Sequence, residues 1–160
     1  MRYGNNTKGG FALLLGSLIS SLLLVVALAI FNITIKEVLL SSAARESQFA
    51  FYAADTGIEC ALNWDFNYNG TDSAFATSTD SIPPGDGVDC VGEDIATTWS
   101  ITNDANAATT TFELIVGDGC VDVEVAKFGF PSQTRIESRG HNTCDTDNPR
   151  RVERAIFVSY

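Results

Sequence analysis

Positive charge is scarce in this chain. Ten Lys/Arg face twenty Asp/Glu over 160 residues, for a formal net charge of −10. Between Arg45 and Lys127 there is no base at all, while 15 acids fall in that window. A body of this kind repels phosphates, so nonspecific nucleic-acid binding by counterion release is not expected of it. Histidine is rarer still: His141 is the single one. The four cysteines contain no C-x-x-C pair, so zinc-ligand spacing is absent and no metal or cofactor is expected. A nucleophilic triad would have to use His141, which sits in the turn-like "SRGHN", and nothing resembles a nucleophile elbow. The sequence therefore does not read as an enzyme.

Two further absences define the N-terminal part. From Gly9 to Ile35 no residue is charged, and from Ser17 through Thr56 there is neither Gly nor Pro. The run from Phe11 to Ile35 covers 25 residues, and about 20 suffice to cross a bilayer. Arg2 and Lys8 precede it, and all 20 acids lie from Glu37 onward. The positive-inside rule then keeps the short N-terminus in the cytoplasm and places everything after Lys36 outside. Three fates compete for this segment: a secretory signal peptide, a plain anchor, or a leader cut after Gly10. Ala27-Leu28-Ala29 fits a signal-peptidase pattern that would start the product at Ile30. A signal peptide should end in a break, however. Here Leu39, Leu40, Ala43, Ala44, Ala50, Phe51, Ala54, Ile58, Ala61 and Leu62 continue at steps of three, four and seven. That spacing predicts one unbroken helix from near Phe11 to near Trp64, apolar all round at first and amphipathic afterwards.

A short basic leader ending in Gly, then Phe, then an uncharged helix running into a folded domain resembles the type IV pilins and type II secretion pseudopilins. "ESQFAFYAADTGIE" (46–59) is similar in particular to PilX-type minor pilins. The likeness covers roughly the first 65 residues. It implies a leader over 1–10, a long helix over 11–64 with a transmembrane half at 11–35, and an exported domain over 65–160. Gly10 would precede the cut made by a prepilin peptidase, and Phe11 would become an N-methylated N-terminus. The partners implied are other pilin subunits through the N-terminal helix, the inner-membrane pilus assembly machinery, and membrane lipid before assembly. The expected location is the inner membrane with the C-terminal domain outside, and a filament or the cell surface after assembly. One departure matters: the Glu usual at the fifth mature position falls on Leu15. A buried carboxylate needs a partner, so its absence points to a subunit near a filament tip. Gly16 and Ser20, and Ser17 and Ser21, form small-xxx-small pairs compatible with close helix approach.

Beyond Trp64 the chain turns rich in Asp, Asn, Ser, Thr, Gly and Pro up to Asp94, which predicts a long loop. Strands are expected over 97–102, 109–117, 120–129, 133–142 and 150–160, with a hairpin turn at Gly117-Asp118-Gly119. Val121, Val123 and Val125 should share one face, whereas Val152, Ala155, Ile156 and Val158 compete for the inner side of the last strand. The fold class is α+β, an antiparallel sheet of four or five strands with one face on the helix. An even cysteine count in an exported domain predicts two disulfides. Of the three pairings, Cys60–Cys90 and Cys120–Cys144 close the shortest loops and are favoured. The last 34 residues carry six bases against four acids, a bias expected of a solvated, charge-protected strand edge. Asp80, Asp86, Asp89, Glu93 and Asp94 form the best candidate for calcium, but without EF-hand spacing they read as solvated turn residues. Asn69-Gly70-Thr71 is the one N-x-[ST] triplet in an exposed loop. Besides assembly into a filament, the sequence leaves open a tethered or secreted β-rich binding domain unrelated to filaments.

Overall fold

The computed structural model describes residues 8–68, 73–77, 87–129 and 133–160. Arg2, Asn69, Asp80 and Asp86, singled out above, lie outside the described residues. One α-helix, α1, runs without interruption over Lys8–Asn67. It extends three residues past the expected end at Trp64. The chain divides into two compact units, Met1–Ser42 and Ala43–Tyr160.

In the first unit the described chain is helix alone. Its hydroxyls are satisfied within the helix: Ser17 Oγ donates to the Leu14 carbonyl at 2.9 Å, Ser21 Oγ to Leu18 at 2.9 Å, and Thr34 Oγ1 to Ile30 at 3.0 Å. These side chains therefore add little polar cost to a segment meant for an apolar solvent.

In the second unit the last part of α1 lies on a five-stranded antiparallel sheet. Two short strands, β1 (Asp89–Cys90) and β2 (Glu93–Asp94), form a separate hairpin. The main sheet contains β3 (Ser100–Asp104), β4 (Ala107–Val116), β5 (Gly119–Phe128), β6 (Gln133–His141) and β7 (Glu153–Ser159). Spatial order equals sequence order, β3-β4-β5-β6-β7. The turn Gly117-Asp118 joins β4 to β5 in a ten-pair register from Ala107↔Phe128 to Val116↔Gly119. Gly117 has φ 63°, a conformation glycine adopts without steric cost.

The expected first strand is shifted. Ile95–Thr97 forms a 3₁₀ turn capped by Asp94, whose side chain accepts from the Ala96 N–H at 2.9 Å. The strand therefore starts at Ser100 and continues to Asp104, where 97–102 was expected. An Asp followed three residues later by two threonines favours local side-chain capping over extended pairing.

Alternation decides which residues meet the helix. Val121, Val123 and Val125 are buried and point inward, with Asp122 and Glu124 outside. In β7 the register Ser138↔Ile156 and Ile136↔Val158 turns Ile156 and Val158 inward. Ala155 and Phe157 take the outer face, where Phe157 is exposed. Facing them from α1 are Ala50, Ala53, Ala54, Gly57, Ile58 and Ala61, all buried. Small residues on this stripe let the helix come close to the sheet. A β-carbon on Gly57 would lie 2.3 Å from Ser138 Oγ and 2.6 Å from Val121 Cγ1. Beside this seam Phe75, Trp99 and Phe112 stack with interplanar angles of 4–12° and supply the large side chains of the core.

Candidate functional site

Two surfaces and one buried cluster stand out among the described residues. The first surface is the N-terminal part of α1. Phe11 is 73% exposed, Leu15 49%, and every large apolar side chain from Phe11 to Ile35 is uncovered. Its mean hydropathy reaches 2.7 over an 18-residue window, none of it buried, so α1 is long and apolar enough to cross a membrane. The 25 residues from Phe11 to Ile35 rise about 38 Å, against about 30 Å of hydrocarbon. Gly10 and Phe11 both lie inside the helix, and nothing stands within 4 Å of a β-carbon built on Gly10. Gly10 and Phe11 thus stand on an uncovered stretch of helix. Gly16 is equally open, which leaves room for close approach by another helix.

The buried cluster was not foreseen from the sequence. Asp65, near the end of α1, has a side chain only 4% exposed. It receives hydrogen bonds from Ser73 Oγ and Tyr160 OH and an ion pair from Lys127 Nζ. These partners come from the segment after the helix, from the end of the chain beyond β7, and from β5. Burial alone would push the Asp65 carboxyl up. The hydrogen bonds from Lys127, Ser73 and Tyr160 and the Lys127 charge outweigh it and hold Asp65 below the usual carboxylate value. Burial and the Asp65 carboxylate together push the Tyr160 phenol upward. Tyr160 is fixed further by backbone bonds with Thr134 and by stacking on Phe66 at 5.1 Å.

Lys127 corrects the expectation for the basic C-terminal bias. It is a buried residue of an interior strand, not a solvated edge residue. The next bases behave as expected of surface charge. Arg139 donates to Glu137 at 2.9 Å through Nε, and Arg135 reaches Glu137 at 3.4 Å, both more than half exposed along the side chain or close to it. A signal for Lys127 existed in the pattern: in "CVDVEVAKF" (120–128) it occupies an inward position continuing Val121, Val123 and Val125. An inward lysine requires an acid, but nothing in the sequence names which of the many acids supplies it.

The cysteines pair as Cys60–Cys90 and Cys120–Cys144, with Cα–Cα distances of 5.8 and 5.1 Å. The first ties α1 to β1, and Trp64 Nε1 reinforces that tie by donating to the Asp89 carbonyl at 3.0 Å. The second fastens the chain after β6 to the start of β5. His141, 3% exposed beside it, sits between Glu153 at 3.0 Å and Asp122 at 3.7 Å. No serine stands in hydrogen-bond contact with it among the described residues. Of the acids weighed for calcium, Asp94 caps the 3₁₀ turn and Glu93 accepts from the Ile115 N–H at 3.4 Å. Among the described residues no group of three or more His, Cys, Asp or Glu is arranged to hold a metal ion.

The second surface is a groove of about 500 Å³ where α1 passes the β4–β5 turn. Arg45, Phe49 and Tyr52 line it from the helix, and Val116 and Asp118 from the hairpin. The Arg45 guanidinium lies 5.3 Å from the Phe49 ring centroid.

No protein-family model, no curated protein and no solved structure matches this chain.

Proposed function

We propose that this chain is a minor pilin-like or pseudopilin-like subunit that assembles into a type IV pilus-like filament, near its tip. In this reading the anchor holds the subunit in the inner membrane until assembly machinery extracts it, and the uncovered helix then packs among those of other subunits. The observation that carries the reading is the unbroken helix Lys8–Asn67, bare over its apolar part and seated on a sheet over its last part. A cleavable signal peptide would have no reason to share one helix with the core of the folded unit. Apolar surface of this extent needs a lipid or protein environment. In a bilayer it is solvated by acyl chains; among copies of similar helices it is solvated by protein, so one segment serves both states.

Leu15 supports the position near a tip. At 49% exposed it presents a hydrocarbon side chain where a filament-body subunit of the resembled family offers a carboxylate. Without that charge the subunit need not meet the amino terminus of a neighbour. The leader, its removal by a prepilin peptidase between Gly10 and Phe11, and N-methylation of Phe11 belong to the same proposal. Mass spectrometry of the mature protein from its native membrane tests it. The expected N-terminus is N-methylated Phe11. A start at Ile30 would mean conventional signal cleavage and leave a secreted β-rich domain unconnected with filaments.

A further inference from the structure

β7 is an outer strand of the main sheet: β6 lies on one side of it, and among the described residues no strand lies on the other. The phase of its backbone is fixed at both ends. Tyr160 exchanges both backbone bonds with Thr134, and the Asn142 N–H donates to the Val152 carbonyl. Bonded pairs alternate along an antiparallel ladder, so the even-numbered residues of β7 bond to β6. The N–H and C=O groups of Ala155, Phe157 and Ser159 point to the free side, where they meet no partner among the described residues.

Proteins shield a free edge with proline, with a bulge or with charge along its length. Past Arg154, β7 has none of these. Its register with β6 is continuous, and Ala155-Ile156-Phe157-Val158-Ser159 is uncharged. Phe157 is 69% exposed, and Ile156 and Val158 are only partly buried. The other outer strand, β3, is shorter and ends in Asp104. Charge is gathered instead at the N-terminal end of β7, in Arg150, Arg151 and Arg154. None of the three pairs with a carboxylate among the described residues. Arg154 donates to Ser47 Oγ at 2.9 Å and Arg151 to the Thr143 carbonyl at 3.4 Å, while Arg150 is exposed. In a chain of net charge −10 this is a local excess of base.

We propose that the free edge of β7 binds an extended segment of another protein, apolar where it runs along Ala155–Val158 and acidic beside the three arginines. The segment adds a strand to the sheet. Its backbone meets the outward groups of Ala155, Phe157 and Ser159. Its apolar side chains cover Phe157 on the outer face and Ile156 and Val158 on the inner one. Every strand of the main sheet is antiparallel to its neighbour, and an antiparallel segment carries its acids at its C-terminal end. The site lies wholly in the second unit and does not depend on the filament reading.

The test uses the full chain in detergent micelles and a fluorescent peptide of alternating threonine and valine that ends in aspartates, read by anisotropy. Saturable binding is expected, weakening as salt is raised. Ala155→Pro removes an outward N–H and leaves the bonds to β6 in place, so it should lower affinity about tenfold, the worth of one backbone hydrogen bond. Replacing Arg150 and Arg151 by glutamate should lower it about two- to fivefold for each ion pair lost. The same peptide, N-methylated on the residues that face β7, should not bind the unaltered protein. Absence of saturation at about 1 mM peptide, or equal affinity for the methylated form, overturns the site. A photo-reactive phenylalanine at Phe157 that crosslinks to a second copy of the chain in the absence of peptide overturns the assignment to another protein.

Discussion

Gly140 on β6 lies directly against the backbone of Ala54 on α1. A β-carbon at Gly140 would stand 2.3 Å from the Ala54 nitrogen and 2.2 Å from the Ala50 carbonyl oxygen. Both obstacles are main chain and cannot rotate away. Gly57 faces a softer boundary, since its neighbours Ser138, Val121 and Val123 are side chains. Gly140→Ala should therefore cost about 3 kcal/mol or more, at the upper end of what overpacking costs. Gly57→Ala should cost less, because the gain in helix propensity of about 1 kcal/mol offsets part of the clash. Urea unfolding of the two variants checks the order, and equal losses would mean that the seam is not set by Gly140.

The Asp65 cluster makes stability depend on acid. A carboxyl held below its ordinary value in the fold stabilises the folded state at every pH above the unfolded value, near about 3.9. That contribution is lost as the pH falls through the folded value. Wild-type stability should thus decline below about pH 4, and Asp65→Asn should flatten this part of the profile. At neutral pH, Asp65→Ala leaves Lys127 buried and unpaired and should cost about 3–5 kcal/mol. The raised Tyr160 phenol has the opposite sign. It favours the fold fully below the ordinary tyrosine value of about 10, and this contribution is lost as the pH rises through the raised folded value. Tyr160→Phe should remove the alkaline dependence and cost about 1.5–3 kcal/mol, the worth of a hydrogen bond to a charged group. Thermal melts across pH report both.

The Cys60–Cys90 bond closes a separation of 30 residues and Cys120–Cys144 one of 24. In the chain-entropy account each contributes about 3–4 kcal/mol. Replacing Cys60 and Cys90 together by serine should lower Tm and make 87–94 sensitive to protease, because the β1–β2 hairpin would then be held mainly by Trp64 and Val88. Replacing Cys120 and Cys144 should free the segment after β6 while sparing β1–β2. Limited proteolysis with mass mapping distinguishes the two outcomes.

Val91 and Gly92 form the two-residue turn between β1 and β2, with φ 55° and 81°. A β-branched residue at positive φ is strained by about 1–2 kcal/mol. The side chain is 60% exposed and gains little in return. Val91→Asn should raise stability by about 1 kcal/mol, seen as a higher urea midpoint with an unchanged slope.

Much of the architecture was legible because it follows from periodicity. The charge-free run and the absence of Gly and Pro from Ser17 through Thr56 dictate the long helix, and the Val121-Val123-Val125 alternation dictates which face of β5 is inner. The register of β7 was not legible, since Val152, Ala155, Ile156 and Val158 allow either phase. Pairing with β6 settles it. Trp99 misled the strand boundary: its neighbours are β-formers, but Asp94 captures the Ala96 N–H and starts a 3₁₀ turn instead. The Asp65–Lys127 pair was invisible for a different reason. Its partners are 62 positions apart by their residue numbers, and only the folded sheet brings them together.

Strand order in the main sheet has a kinetic consequence. Every strand pairs only with the one made just before or just after it, so loop closures are short and each hairpin can add to the last without waiting for distant chain. The sheet can therefore grow in step with a chain that emerges from its amino end. The contacts that close the core come later in sequence order: Gly140 meets the helix once β6 is made, and Tyr160 reaches Asp65 after β7. Until Tyr160 arrives, the nascent domain is a zipped ribbon whose final fastening is a single phenol.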